Sequence, residues 1–252
     1  MHTETAENAL LEEALSIIVS ALHKKPMSFA KNTGDGRLDS AANEDDVIER
    51  IVEISHTIPF FTTHGLKIGT PNLESNNNRE WYDFAIESID TSLHNIFMPV
   101  NVKITDVDGG AADNLSCKLG IFYALTGCLP KAVALGNGAS WEKFFTKTDE
   151  CMGKKQNKDY YFLVINKRNT ADVFWNSLRR LPTLVENGNN LPFQCKWSEN
   201  RVPQTRTYFE ARDFLLNTLK GSINKREQIG FLFRKYLEKY IGTTLIHNGG
   251  AV

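Results

Sequence analysis

Asp83-Phe84-Ala85-Ile86-Glu87-Ser88-Ile89 and, after a polar turn, Phe97-Met98-Pro99-Val100-Asn101-Val102-Lys103-Ile104-Thr105 read as the two arms of a β-hairpin. The first arm carries apolar residues in quick succession between Asp83 and Asp90. The turn from Asp90 to Asn95 is longer than a tight hairpin loop. In the second arm Val100, Val102 and Ile104 alternate with Asn101, Lys103 and Thr105. Apolar side chains therefore point to one face and polar ones to the other. An amide and a lysine stand side by side on the polar face. Asp83 reaches the same patch from the neighbouring strand, because paired strands lie about 4.8 Å apart.

A carboxylate, a polar oxygen ligand and a lysine on adjacent strands suit metal-dependent cleavage of a phosphodiester. The carboxylate binds a hard cation such as Mg2+. The cation polarises the phosphate and acidifies a bound water. The lysine holds that water and offsets the charge that builds on the phosphorus centre. The same residues also have an ordinary reading, since a strand lysine is usually solvated. Asp83 followed by Asn101-Val102-Lys103 resembles the PD-(D/E)xK motif of type II restriction endonucleases. Two positions depart from it: Tyr82 stands where the motif has Pro, and Asn101 where it has Asp or Glu. An amide oxygen still ligates a cation, but it brings no negative charge.

The resemblance runs from about Ala41 to Leu219. Ala41-Ala42-Asn43-Glu44 is similar to a helix start that supplies a further glutamate to the family's site. Glu44 is therefore a site candidate, with Glu49 the alternative. The helix dipole alone also favours a carboxylate in a first turn. Within the family, the blunt-cutting HincII and HpaI type follow the lysine strand with a polar loop and an Asn-led helix beside the site. Asn114 matches that Asn, with Lys118 one turn on. The family reads bases from this loop, and Asn can bond an adenine edge bidentately. Its commoner use is as a helix cap. Further on, a strand with Gln, a polar loop and an Arg-Thr step before a helix match Gln194, Arg206-Thr207 and Phe209 or Phe214. Gln194, Lys196, Arg201 and Arg206 are the DNA-contact candidates of that region.

The resemblance implies an α/β fold with a central mixed sheet flanked by helices. It implies hydrolysis of DNA to 5′-phosphate and 3′-hydroxyl ends. Asp83, the Asn101 amide and the Val102 carbonyl hold Mg2+, and Lys103 positions the attacking water. A palindromic double-stranded site implies a homodimer. Its two-fold axis is expected near the N-terminal helix stripe and the Gln194 region.

Outward from the hairpin, residues 5–24 read as an amphipathic helix with Thr5 as N-cap and Leu11, Leu15, Ile18 and Leu22 as its stripe. Residues 26–39 read as a polar loop, Glu44 to Ser55 as a helix, 58–69 as extended, and 70–80, with three consecutive asparagines, as a loop. A helix is expected from Leu115 to Leu125, ending at Gly127, and a short one from Ser140 to Lys147. Tyr160 to Asn166 is apolar enough for a strand buried on both faces. Thr170 to Leu178 reads as a helix in which Phe174 and Trp175 pack. Leu191 to Trp197 reads as a strand. Thr207 to Glu210 is a capping box that opens a helix to Lys220, closed by Gly221. A separate helix covers Asn224 to Tyr240, and a frayed tail follows Gly242. The whole reads as one domain over 1–252, with a helical region to about 56 and a catalytic core over about 57–222.

The totals bound the function. The chain has 252 residues, 41% hydrophobic and 23% charged, with a formal net charge of −1. That balance is ordinary for a globular domain. It excludes a uniformly basic nucleic-acid coat but not a basic cleft in an acidic surface. No apolar run is long enough to span a membrane, and the acidic N-terminus has no signal-peptide n-region, so a cytoplasmic location is expected. Four cysteines show no CxxC spacing, and reduced thiols are expected. No P-loop, GxSxG or paired-histidine motif is present. Two other readings stay open: a catalytically silent DNA-binding protein of the same fold, which Asn101 favours, and an unrelated α/β metabolic enzyme.

Overall fold

The hairpin forms the middle of a five-stranded mixed sheet in a computed structural model. The structure describes residues 2–29, 36–71, 80–89 and 96–241, with side chains described at 7–29, 43–71, 80–89 and 96–235. The strands are β1 (Leu66–Gly69), β2 (Phe84–Ser88), β3 (Phe97–Thr105), β5 (Tyr161–Asn166) and β6 (Val173–Ser177), side by side in that order. The pairings are antiparallel except β3 with β5, which is parallel and sets Lys103 opposite Val164. A parallel pair needs a long crossover. Here it comprises β4 (Asp113–Leu115), α4 (Lys118–Thr126) and α5 (Trp141–Cys151).

Alternation along the strands divides the core in two. Met98, Val100 and Val102 of β3 join Tyr161, Leu163 and Ile165 of β5 against α1 (His2–Lys24) and α2 (Gly36–Thr57). Phe162 and Val164, from the opposite face of β5, pack with α4, α5 and α6 (Tyr208–Ile241). All six residues of β5 are buried, as expected of a strand covered on both faces. The polar face of β3, with half-buried Asn101 and Lys103, looks toward this second layer. A smaller three-stranded antiparallel sheet lies there, ordered β4, β8 (Phe193–Cys195) and β7 (Val185–Glu186). The α/β architecture, a mixed sheet flanked by helices, is as expected.

Several elements differ from the sequence reading. Thr170 to Leu178 is not a helix: Val173–Ser177 is β6, because the free edge of β5 offers a full antiparallel ladder to Val-Phe-Trp, residue types that fit strands. Asn114 opens no helix: Asp113–Leu115 pairs with β8 as β4, and α4 starts at Lys118. The segment 58–69 is split into a five-residue helix α3 (Pro59–Thr63), with Pro at its start, and strand β1. Gly221 closes nothing. Helix α6 runs through it for 34 residues, and a Cβ there would come within 2.0 Å of the Glu186 carboxylate. The glycine serves close approach rather than termination. The N-terminal stripe Leu11, Leu15, Ile18 and Leu22 is at most 2% exposed and belongs to the core; it leaves no surface for a two-fold contact. Helix α1 begins before Thr5, α2 begins at Gly36 within the expected loop, and α5 continues to Cys151. The asparagine run 76–78, the hairpin turn 90–95 and the tail after Gly242 lie outside the described residues.

Candidate functional site

Asp83 is fixed at the mouth of the hairpin by two contacts of its own and one beside it. Its backbone N–H donates to the Val100 carbonyl at 2.9 Å. Its Oδ2 accepts the Val102 N–H at 2.6 Å. Just upstream, the Trp81 carbonyl accepts the Tyr160 hydroxyl at 2.7 Å, and the two rings stack with centroids 5.6 Å apart. Gly120 gives that tyrosine room, since a Cβ at 120 would lie 2.6 Å from its ring. Continuing the register Phe84↔Val100 sets Asp83 directly opposite Asn101. A residue's N–H and C=O point to the same side of a strand. The Val102 carbonyl therefore aims past the end of β2, the side on which its N–H meets Asp83.

A cleft of about 420 Å³ opens over this corner. Glu44 from α2, Asp83, and Asn101, Val102 and Lys103 from β3 all line it, with Lys118 from α4. Glu49 is exposed and is not among its lining residues. The cleft thus gathers the expected acid, amide, carbonyl and lysine, and Glu44 lines it where Glu49 does not. It also includes residues that the sequence reading did not single out: Glu80, Trp81, Cys117, Asn137 and Tyr160. Glu80 falls where the sequence reads as plain loop, and no motif marks it. Its carboxylate pairs with Lys131 on the cleft rim. Asn137 lies in Gly136-Asn-Gly138, which in isolation signals only a turn.

Charge around the cleft is arranged by burial. Burial pushes the Cys117 thiol up to about 12, against the pull of the Lys103 ammonium in the opposite direction. Burial also raises the Tyr160 phenol well above its ordinary range, and Cys117 and Asp83 add to that rise. Lys118 is lowered by burial. Its ammonium donates to the Ala139 carbonyl and sits 5.3 Å from the Trp141 ring centre. Helix α4 starts beside it, and its N-cap Cys117 makes no side-chain cap. First-turn N–H groups without a side-chain cap form an anion-favouring end.

The remaining candidates lie outside this cleft. Asn114 and Gln194 are cross-strand partners in the β4–β8 ladder. The Asn187 amide donates to Asn114 Oδ1 at 3.2 Å, and Gln194 reaches the Ala112 carbonyl at 3.5 Å. Three amides thus form one row on the small sheet. Lys196 is partly exposed and 3.6 Å from Glu199. Arg201 makes a two-pronged contact with Asp172, both distances 2.7 Å, over the Phe174 ring. Arg206 donates to the carbonyls of Arg179, Leu181 and Pro182 and lies over Phe214. Both guanidiniums tie segments of this chain together.

The donor set can be weighed against Mg2+. Among the described residues no group of three or more Asp, Glu, His or Cys side chains is placed to hold a metal ion. Mg2+ does not need one: it keeps several waters and takes one or two carboxylates with neutral oxygens. Asp83, Glu44, the Asn101 amide and the Val102 carbonyl fit that demand. No protein-family model matches the chain, and no curated protein sequence matches it significantly.

Proposed function

We propose that this chain is a Mg2+-dependent, sequence-specific endonuclease for double-stranded DNA, working as a homodimer with a fold of the restriction-endonuclease type. The observation that carries the reading is the single cleft shared by Glu44, Asp83, Asn101, Val102 and Lys103, drawn from α2 and from both arms of the hairpin.

In this reading Asp83 and Glu44 are the carboxylate ligands, and the Asn101 amide and Val102 carbonyl complete the protein's share of the shell. When bound, Mg2+ supplies a Lewis acid at the scissile phosphate and a hydroxide source at neutral pH. The Asp83 carboxylate is held in place by the Val102 N–H, so its orientation is set before substrate arrives. The Lys103 ammonium holds the attacking water and meets the growing negative charge. Lys118 and the start of α4 draw the phosphate backbone into the cleft. The amide row Asn114, Gln194 and Asn187 is the candidate base reader, since amides bond base edges while phosphate contacts only position. Arg201 and Arg206 keep the loops around that row in shape.

The test is a digest of mixed plasmid and phage DNA with Mg2+, compared with EDTA and with Lys103→Ala. Discrete fragments that require both Mg2+ and Lys103 support the reading, and sequenced ends give the site and the stagger. Salt-sensitive binding without cleavage supports the silent DNA-binding alternative, which the amide at 101 favours. Neither cleavage nor binding refutes both.

A further inference from the structure

Two cysteines stand where the C-terminal ends of α4 and α5 meet. Cys151 is the last residue of α5 and is 2% exposed. Cys128 follows the Gly127 cap of α4 and is half-buried. A side-chain hydrogen bond joins the two thiols. The Lys154 ammonium donates to Cys151 Sγ at 3.7 Å. The backbone clamps the same junction. The Gly153 and Lys155 N–H groups donate to the Leu125 and Thr126 carbonyls at 3.4 and 3.1 Å. The Cys128 N–H donates to Thr126 Oγ1 at 3.1 Å. Gly127 has φ 65°, and a Cβ on it would collide with the Lys155 carbonyl, so the two helix ends lie in direct contact. From α6, the Tyr208 hydroxyl donates to the Leu125 carbonyl at 2.6 Å. None of these groups enters the nuclease reading.

We propose that Cys128 and Cys151 form an oxidation site, which hydrogen peroxide closes into a disulfide between the ends of α4 and α5. Cys128, the more accessible thiol, reacts first. Its sulfur, as thiolate, attacks one peroxide oxygen and the O–O bond breaks. The departing hydroxide leaves as water with the thiol proton, and Cys128 becomes a sulfenic acid. The Cys151 sulfur then attacks the Cys128 sulfur. The S–S bond forms, the S–O bond breaks, and the oxygen leaves as water with the Cys151 proton. Two thiols thus lose two electrons and two protons, and one peroxide becomes two waters. Lys154 assists the second step, because the thiolate is the nucleophile and a neighbouring ammonium favours it. Burial and then the adjoining Cys151 hold the Cys128 thiol above its ordinary range, with Lys154 pulling the other way. The pair is therefore stored as thiols at neutral pH, and closure is slow until peroxide is supplied.

The experiment treats the reduced full chain with a few equivalents of hydrogen peroxide at pH 8, without DNA. The reaction is stopped with N-ethylmaleimide in denaturant, followed by intact mass and peptide mapping without reductant. One disulfide is expected, between the Cys128 and Cys151 peptides, with Cys117 and Cys195 alkylated. Cys151→Ser is expected to stop at the sulfenic acid, which dimedone traps on Cys128. Cys128→Ser is expected to give neither product. Lys154→Gln is expected to slow closure, so that the Cys128 sulfenic acid lasts about tenfold longer. A chain that stays fully reduced overturns the proposal, as does a disulfide that includes Cys117 or Cys195. Closure of Lys154→Gln at the wild-type rate overturns the part given to the lysine. Circular dichroism confirms that the variants remain folded. The readout is protein mass, so the result stands whether or not the chain cleaves DNA.

Discussion

Replacing Asp83 separates its structural work from its chemical work. Val102 is 1% exposed, and at this position β3 has run past the end of β2. The partner of its N–H is the Asp83 carboxylate at 2.6 Å. Asp83→Ala leaves that buried N–H without an acceptor, a cost of about 1–3 kcal/mol. Asp83→Asn keeps a carbonyl oxygen in the same place and exchanges a charge-assisted bond for a neutral one, a cost of about 1 kcal/mol. Urea unfolding at pH 7 reads the difference. With a slope of roughly 2–3 kcal/mol per molar for a chain of this size, the Ala midpoint falls about 0.3–1.5 M and the Asn midpoint about 0.3–0.5 M. Cleavage follows a different rule. Both variants lose the carboxylate charge that holds the cation, so both are expected to lose about a thousandfold or more in rate at millimolar Mg2+. The comparison therefore gives two unequal losses of stability and two similar losses of activity. An Ala variant as stable as the Asn variant refutes the strut. An Asn variant that cleaves at the wild-type rate refutes the ligand.

Other perturbations test the rest of the site. Asn101→Asp restores an acid at the position across from Asp83, and the Mg2+ concentration for half-maximal cleavage is expected to fall about tenfold; an unchanged Mg2+ titration counts against residue 101 as a ligand. Asn114→Ala and Gln194→Ala are each expected to lower discrimination between the target site and a one-base mismatch by about 1–3 kcal/mol, with binding to random DNA unchanged; equal weakening on all sequences makes them positioning contacts only. The Asp172 carboxyl is held below its ordinary 3.8, first by hydrogen bonds from the Arg201 guanidinium. Its contribution to stability is complete above pH 3.8 and is lost as pH falls through the lower folded value. Arg201→Gln is thus expected to lose stability at pH 7 and to show a shallower acid decline than wild type; parallel curves of melting temperature against pH refute the pairing.

The corner of the candidate site around β3 was legible because it is written locally. Strand alternation placed Asn101 and Lys103 on one face, and the hairpin brought Asp83 to the same patch; its position opposite Asn101 came from the register of the structure. Glu44 was legible from the resemblance alone, because nothing in the residues between a helix start and a strand far along the chain states that they meet. Glu80 and Asn137 were not legible. They enter the cleft through tertiary folding of segments whose local signals say only loop. The misread elements share a cause too. The segment Thr170 to Leu178 has a helix-compatible length, but the edge of β5 decides its state, and an edge is invisible before the sheet exists. Asn114 carries a strong cap signal, yet its backbone is claimed by β8, which brings it beside Gln194. Gly221 signals a stop, but the Glu186 carboxylate occupies the space a side chain would need. In each case a partner distant in sequence outweighed a local preference.

The amide at 101 fits the electrostatics of the cleft. An aspartate there would face Asp83 directly across the strand pair, and like charges in that relation are destabilising. Glu44 and Glu80 line the same cleft, so three carboxylates already stand there, of which Glu80 is paired with Lys131. An asparagine keeps an oxygen ligand at the ladder position without adding a fourth negative charge. In the proposed nuclease the cation is then left to the carboxylates on the neighbouring segments, one of which, Asp83, accepts the Val102 backbone N–H. In the nuclease proposal, the carboxylates of Asp83 and Glu44 then supply the negative charge of the shell, and β3 supplies neutral oxygens. In the same proposal the lysine two residues along stays beside the attacking water and the phosphate.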